Sequence, residues 1–171
     1  MNLELFQDIL KKKIVLKRNE YLKLPGKVDS NIYFIESGSL KISIENEDSE
    51  QIIRFGYDGN IIVSLDSFIT GKASDFSIQA IKKTELWQAD KKDFFQKVYS
   101  SPENMKIYIQ IIEDLILQQM ERERDLLIES PKERYLRVFK RNPKLFQIIP
   151  NKHIANYLRM SPETYSRLKK S

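Results

Sequence analysis

The apolar and polar positions of the first hundred residues are typical of short strands separated by turns. In Leu40-Lys41-Ile42-Ser43-Ile44 the alternation is strict, which is typical of a strand that is buried on one face. Seven other short segments are rich in β-branched or aromatic residues, and turn pairs such as Asp58-Gly59 separate them. The predicted strands cover residues 14–16, 21–24, 32–36, 40–44, 51–55, 61–63, 76–80 and 85–88. Eight short strands at this spacing favour a β-sandwich or jelly roll.

The period of the apolar positions changes after Ser101. Pro102 suits the first turn of a helix that a serine caps, and neither glycine nor proline occurs from there to Ile128. The apolar residues of this segment cover more surface than one amphipathic face needs. We expect one side of this long helix to cover the β domain and the other to meet a second copy in a coiled-coil dimer. The alternative is a long core helix in a monomer.

Proline residues divide the rest of the chain into short helices. Pro131 opens a helix that runs to Arg141, and Pro143 begins a short apolar turn that ends at Pro150. The chain is therefore predicted to contain a β jelly roll over residues 1–100, a long helix over 101–129 and a helical domain over 130–171. The hinge between the last two is expected at Ser130-Pro131.

Two further helices fit residues 151–158 and 162–170. Ser161 is a favoured N-cap and Pro162 a favoured first helical residue, so the second helix has a defined start. The apolar residues of the pair predict a shared core of Ile154, Ala155, Leu158, Met160, Tyr165 and Leu168. This spacing is typical of a helix-turn-helix element.

Charge is distributed unevenly along the chain. Residues 130–171 carry 11 Lys and Arg against 2 Asp and Glu, a net charge of +9, whereas residues 1–129 carry 18 against 22, a net charge of −4. A short basic domain on an acidic body indicates a polyanionic partner, most simply nucleic acid. A lysine-rich solubilising tail is the alternative.

The outward face of the last helix carries side chains suited to a DNA major groove. Arg167 can donate two hydrogen bonds to a guanine, and Glu163 can accept one from a cytosine amino group. Thr164, Ser166 and Lys170 lie on the same predicted face. The alternative is a helical hairpin with a solvated charged face.

Composition excludes several chemistries. The chain has no Cys and a single His, His153, so we expect no disulfide and no thiolate or multi-histidine metal site. We also expect no cofactor, and the sequence shows no catalytic constellation. A metal-free jelly-roll enzyme that uses Asp58 or Asp75 is the remaining enzymatic alternative. No segment reaches the roughly 18 apolar residues of a membrane span, and the N-terminus lacks a secretory pattern, so a cytoplasmic location is expected.

Residues 151–168, NKHIANYLRMSPETYSRL, resemble the DNA-binding element of the Crp/Fnr family of transcription regulators. Residues 32–41, IYFIESGSLK, resemble the strand-turn-strand of the family's cyclic-nucleotide-binding-like jelly roll, and residues 131–136, PKERYL, resemble the helix after its dimerisation helix. The resemblance implies an α+β fold with an N-terminal jelly roll, a long dimerisation helix and a C-terminal helix-turn-helix domain without a clear wing.

The resemblance also implies a function and roles for individual residues. A homodimer would bind a palindromic double-stranded DNA operator, with half-sites about 34 Å apart. Glu163 and Arg167 match base-reading positions. The residues expected to hold phosphates are Ser161, Thr164, Ser166, Lys169 and Lys170. RNA polymerase and an unknown small-molecule effector are further possible partners. Binding to a membrane is not expected. The alternative is a small-molecule-binding signalling module whose C-terminal helices dock a protein.

Two residues of this element depart from the family pattern. Pro162 stands where several members carry a base-reading Arg, so the DNA site should differ from theirs. Arg159 stands where helix-turn-helix elements usually have Gly, which costs about 1 kcal/mol of backbone strain.

The segment that matches the family's cyclic-nucleotide cassette departs further. Asn60 replaces the Glu that binds the ribose, and Ser74-Asp75 replaces the Arg-Ser pair that binds the phosphate. Lys72 is the only nearby cation expected, so cyclic AMP should not bind in the family's manner. The candidate effector pocket consists of Asn60, Ile61, Ile62, Ser64, Lys72, Ser74, Asp75, Gln118 and Gln119. A regulator without an effector is the alternative.

Overall fold

The computed structural model describes residues 3–46 and 49–170. The chain divides into two compact units, Met1–Asn104 and Met105–Ser171. No helix in the described part of the chain is both long and apolar enough to cross a membrane.

The first unit contains all eight predicted strands, with their ends moved by at most two residues. The strands are β1 Lys12–Leu16, β2 Tyr21–Lys23, β3 Asn31–Ser37, β4 Ser39–Asn46, β5 Ser49–Tyr57, β6 Ile61–Ile62, β7 Phe76–Ala80 and β8 Thr84–Asp90. They pair antiparallel in two four-stranded sheets, in the orders β1-β8-β3-β6 and β2-β7-β4-β5. The predicted jelly roll is confirmed.

The core of this unit is apolar. The buried residues of the cluster are Leu16, Tyr33, Ile35, Leu40, Ile42, Ile62, Ile78, Ala80 and Leu86. Gly38 joins β3 to β4 with a φ of +109°, and a Cβ there would lie 2.5 Å from the Cα of Thr84. Only glycine satisfies both the backbone angle and this close approach, so the turn that aligns these two strands requires it.

Three short helices of the first unit were not predicted. A 3₁₀ helix spans Leu3–Ile9, α1 spans Leu65–Thr70 and α2 spans Lys91–Val98. Phe6 of the 3₁₀ helix stacks on Phe94 of α2 with ring centroids 5.3 Å apart, so these two helices share a buried aromatic contact.

Five helices follow: α3 Pro102–Leu127, α4 Pro131–Arg141, α5 Pro143–Ile148, α6 Asn151–Tyr157 and α7 Pro162–Lys170. The segment predicted as an apolar turn from Pro143 is a helix instead, because the Asn142 side chain accepts a hydrogen bond from the Leu145 N–H and caps its first turn. Ser130, the predicted hinge, lies inside the second unit and caps α4 through the Glu133 N–H. The proposed boundary at residue 130 therefore stays a prediction.

Candidate nucleic-acid interface

The turn between α6 and α7 has the geometry that the sequence predicts. Arg159 has a φ of +52°, the left-handed conformation that usually selects glycine. The Met160 N–H donates to the Ala155 carbonyl at 3.1 Å, and the Arg159 N–H donates to that of Asn156 at 2.9 Å. The predicted strained arginine is therefore confirmed, and its peptide is held by main-chain hydrogen bonds.

Helix α7 begins where Ser161 caps it. The Ser161 hydroxyl accepts a hydrogen bond from the Thr164 N–H at 3.2 Å and lies 3.1 Å from the Thr164 hydroxyl. Pro162 occupies the first helical position, where its missing N–H costs nothing. The start of the helix is thus determined by two adjacent residues.

The buried face of the two helices forms the predicted shared core. Ile154, Ala155, Leu158 and Tyr165 are buried, whereas Met160 and Leu168 are half-buried. The ring of Tyr165 contacts that of Tyr135 on α4 edge-on, with centroids 5.9 Å apart. Helix α7 therefore rests on both α6 and α4.

The opposite face of α7 is exposed and brings the predicted DNA-binding residues together. Glu163, Ser166, Arg167 and Lys170 are exposed, Ser161 is exposed at the helix start, and Thr164 is half-buried. The Lys169 ammonium donates to the Asn151 side chain at 3.2 Å, so this side chain also links the two helices.

The surroundings of Glu163 favour its ionised form. Its own N–H, the Ser161 side chain and the nearby Arg167 charge lower the pKa of the Glu163 carboxyl from its ordinary 4.5. An ionised carboxylate only accepts hydrogen bonds. At neutral pH Glu163 can therefore accept from a base amino group, and Arg167 can donate.

The predicted effector residues of the first unit do not all face one space. Asn60 accepts a hydrogen bond from the Tyr57 N–H at 3.1 Å, Ile61 pairs with Phe34, and Ile62 lies in the apolar core. Ser64 and Ser74 are buried, with hydroxyls bonded to Asp66 and to the Phe76 N–H, respectively. Lys72 and Asp75 are exposed, and Gln118 and Gln119 are exposed residues of the second unit.

The expectation that Lys72 is the only nearby cation is wrong. Lys23 of β2 is buried, and its ammonium donates to the carbonyls of Ser74 at 3.1 Å and Phe76 at 2.6 Å. Burial lowers the pKa of Lys23. Because Lys23 is distant from residue 74 in sequence, only the pairing of β2 with β7 reveals this neighbour.

A cluster of charges around one buried carboxylate of the second unit was also missed. Asp125 of α3 is fully buried and forms ion pairs with Arg137 and Arg141 of α4. Glu121, one turn earlier, pairs with the same two arginines at 2.5 and 3.2 Å. Alternating charges on two helices carry no signal of which partners meet, so the sequence could not have identified this cluster.

Comparisons with known proteins identify the family of the first domain. Residues 13–100 match the model of a family described as the cyclic nucleotide-binding domain. No curated protein sequence matches the chain.

Solved structures match nearly the whole chain. FixK2 from Bradyrhizobium japonicum has a TM-score of 0.77 at 14% identity, over 93% of this chain and 82% of that one. The c-di-GMP responsive global regulator CLP of Xanthomonas campestris has a TM-score of 0.69 at 17% identity, over 98% and 88%. The catabolite activator protein of Thermus thermophilus has a TM-score of 0.59 at 19% identity, over 98% and 80%. At these identities the matches establish a shared fold.

Proposed function

Since the chain belongs to the cyclic nucleotide-binding domain family and has the fold of the Crp/Fnr regulators, we propose that it is a sequence-specific DNA-binding regulator of transcription that acts as a homodimer. The observation that carries this proposal is the exposed face of α7. There an ionised Glu163 and an exposed Arg167 project from a capped helix, in a segment whose net charge is +9.

Each residue of that face has a role in the proposal. Arg167 and Glu163 read base edges in the major groove, because one donates and the other accepts hydrogen bonds. The remaining residues hold phosphates and fix the register on the duplex: Ser161, Thr164, Ser166, Lys169 and Lys170. The proposal gives the chain no catalytic activity and a cytoplasmic location.

The homodimer is supported by the surface of α3. Ile109, Ile116, Met120 and Leu127 are each about half exposed or more, and they recur at steps of seven, four and seven residues. These steps keep the side chains on one stripe of the helix, as in a coiled-coil seam. In the proposed dimer the two stripes meet and place two copies of α7 in successive major grooves.

The first unit in this proposal does not bind cyclic AMP in the family's manner. The side-chain oxygen of Asn60 already accepts a hydrogen bond from the Tyr57 N–H. The negative charge of Asp75 would repel a cyclic phosphate. Equilibrium dialysis against cyclic AMP should therefore show no saturable binding, and a saturable isotherm would refute this part. An unidentified small molecule and RNA polymerase remain further proposed partners.

The proposal is tested by selecting binders from a random double-stranded DNA library with the purified full-length protein. We expect an enriched palindrome, and we expect its preference to relax at one position of each half-site in Arg167→Ala, with a loss of about 1–3 kcal/mol. Lys82→Ala, which removes an exposed lysine from the first unit, is the matched control and should select the same palindrome. Failure to enrich any sequence at low salt would contradict the proposal.

A second candidate function is docking of a protein by the C-terminal helices. The observation that favours it is a groove of about 270 Å³ lined by Lys132, Tyr135, Leu136, Phe139, Leu168 and Lys169. Leu136 and Phe139 are 50% and 43% exposed and give the groove an apolar lining. DNA affinity that falls steeply with salt would favour the first function, and absence of DNA binding at low salt would favour the second.

A further inference from the structure

Arg122 of α3 contacts the end of α6 in two ways. Its guanidinium donates a hydrogen bond to the carbonyl of Tyr157 at 2.5 Å, and its central carbon lies 3.7 Å from the centroid of the Tyr157 ring. Arg122 is only 7% exposed. A planar cation above an aromatic ring, with a hydrogen bond to the same residue, allows few relative orientations. The contact therefore restrains the last residue of α6.

A second arginine holds the other side of the turn. Arg134 of α4, also 7% exposed, donates to the carbonyl of Ile128 at 2.7 Å and reaches that of Arg159 at 3.4 Å. Arg159 is the residue in the left-handed conformation. The two residues that flank Leu158 are thus both tied to arginines from outside the helix-turn-helix element.

Stability alone does not account for these two arginines. Burial lowers the pKa of Arg122, because removing the guanidinium from water disfavours its charged form. Nη1 of Arg122 and Nε of Arg134 are buried and have no hydrogen-bond partner among the described residues. A well-packed apolar side chain would avoid both penalties. An apolar side chain, however, could not hold both the carbonyl and the ring of Tyr157 in place.

We propose that Arg122 is a positioning residue for DNA reading, which couples the C-terminal end of α3 to the turn that sets the direction of α7. The inference rests on the proposed function, because its readout is the affinity of α7 for DNA. A change in α3 would reach the base-reading residues through this contact.

The test compares full-length Arg122→Met with Arg124→Met. Both changes remove one positive charge from α3, but the Arg124 side chain is 68% exposed and pairs only with Glu121, at 3.3 Å, among the described residues. On the operator enriched by the wild-type protein, we expect Arg122→Met to bind about tenfold more weakly and Arg124→Met to bind within twofold of wild type. Arg122→Lys, which keeps a cation and one donor for Tyr157, should recover part of the loss.

Three further readouts separate positioning from other roles. The slope of log affinity against log salt should be the same in Arg122→Met and wild type, whereas loss of a phosphate contact would reduce it by about one. The urea midpoint of Arg122→Met should match that of wild type. Hydrogen exchange at the amides of Arg159 and Met160 should become faster in Arg122→Met only.

Each contrary result has a definite meaning. Equal affinities of Arg122→Met and Arg124→Met, a reduced salt slope, or an affinity loss that follows the urea midpoint without recovery in Arg122→Lys would overturn the inference. If the wild-type protein binds no DNA, the proposed function fails instead. The exchange rates at residues 159 and 160 then still decide whether Arg122 holds the turn.

Discussion

The two units of the chain join their layers by different interactions. In the first unit, the sheets meet through apolar side chains such as Ile35, Leu40 and Leu86, none of which is exposed. In the second unit, the contact of α3 with α4 includes the fully buried Asp125 and the arginines that surround it. Apolar contacts tolerate small shifts of one layer on another, whereas paired charges require defined positions. At this contact the relative positions of α3 and α4 are therefore set by paired charges.

The largest expected loss of unfolding free energy comes from a substitution in the apolar core of the first unit. Leu40→Ala removes a fully buried side chain from between the sheets and should cost about 3 kcal/mol of unfolding free energy. Urea unfolding followed by the fluorescence of Trp87, the chain's one tryptophan, reports on the first unit, and circular dichroism at 222 nm follows the helices. Leu24→Ala, at a leucine that is 51% exposed, should change the midpoint little. Equal shifts of both signals would mean that the units unfold as one.

A smaller loss of unfolding free energy is expected when the ion pairs of Asp125 in the second unit are removed. Asp125→Asn leaves Arg137 and Arg141 facing a neutral amide, and should destabilise the helical signal by about 2 kcal/mol. The cost is below that of a wholly buried pair, because the two arginines are about one-third exposed. Glu123→Gln, an exposed carboxylate on the same helix, is the control and should be neutral. A stable Asp125→Asn variant would remove the contrast between the units.

The next largest loss of stability is expected at the start of α7. Ser161→Ala removes the hydroxyl that caps the Thr164 N–H and should cost about 1 kcal/mol. The loss should appear in the helical signal at 222 nm, with Trp87 fluorescence unchanged. Ser166→Ala, an exposed serine on the same helix that is not part of the cap, should leave both transitions in place. An identical effect of the two serine variants would contradict the capping role.

The smallest expected effect depends on pH. The pKa of Glu163 is lower in the folded chain than its ordinary 4.5, so the folded state binds this proton less tightly than the unfolded state. Its stabilising contribution is present above pH 4.5 and is lost as the pH falls through the folded-state pKa. The difference in urea midpoint between wild type and Glu163→Gln should therefore shrink below pH 4.5. A difference that is constant from pH 7 to pH 3 would show that ionised Glu163 contributes nothing.

Much of the fold and of the candidate interface could be predicted because the signals are local. Short runs rich in β-branched and aromatic residues, bounded by turn pairs, located every strand, and Ser161, Pro162 and Ala155 specified the start and the close packing of two helices. The short α1 and α2 were missed because the first has only six residues and the second lies directly behind β8. Lys23 was missed because its partners are about fifty residues away.

The eight strands, the long helix, the helix-turn-helix pair, the basic C-terminal segment and the outward face of α7 could all be predicted from local sequence. These follow from periodicity, capping and charge, which act between residues a few positions apart. Which groups each charge meets is seen only in the folded chain: Asp125 meets Arg137 and Arg141, Arg122 meets Tyr157, and Lys23 meets the carbonyls of residues 74 and 76. Those contacts depend on how helices and strands pack, and Coulomb attraction alone does not select one partner among the chain's many charged side chains.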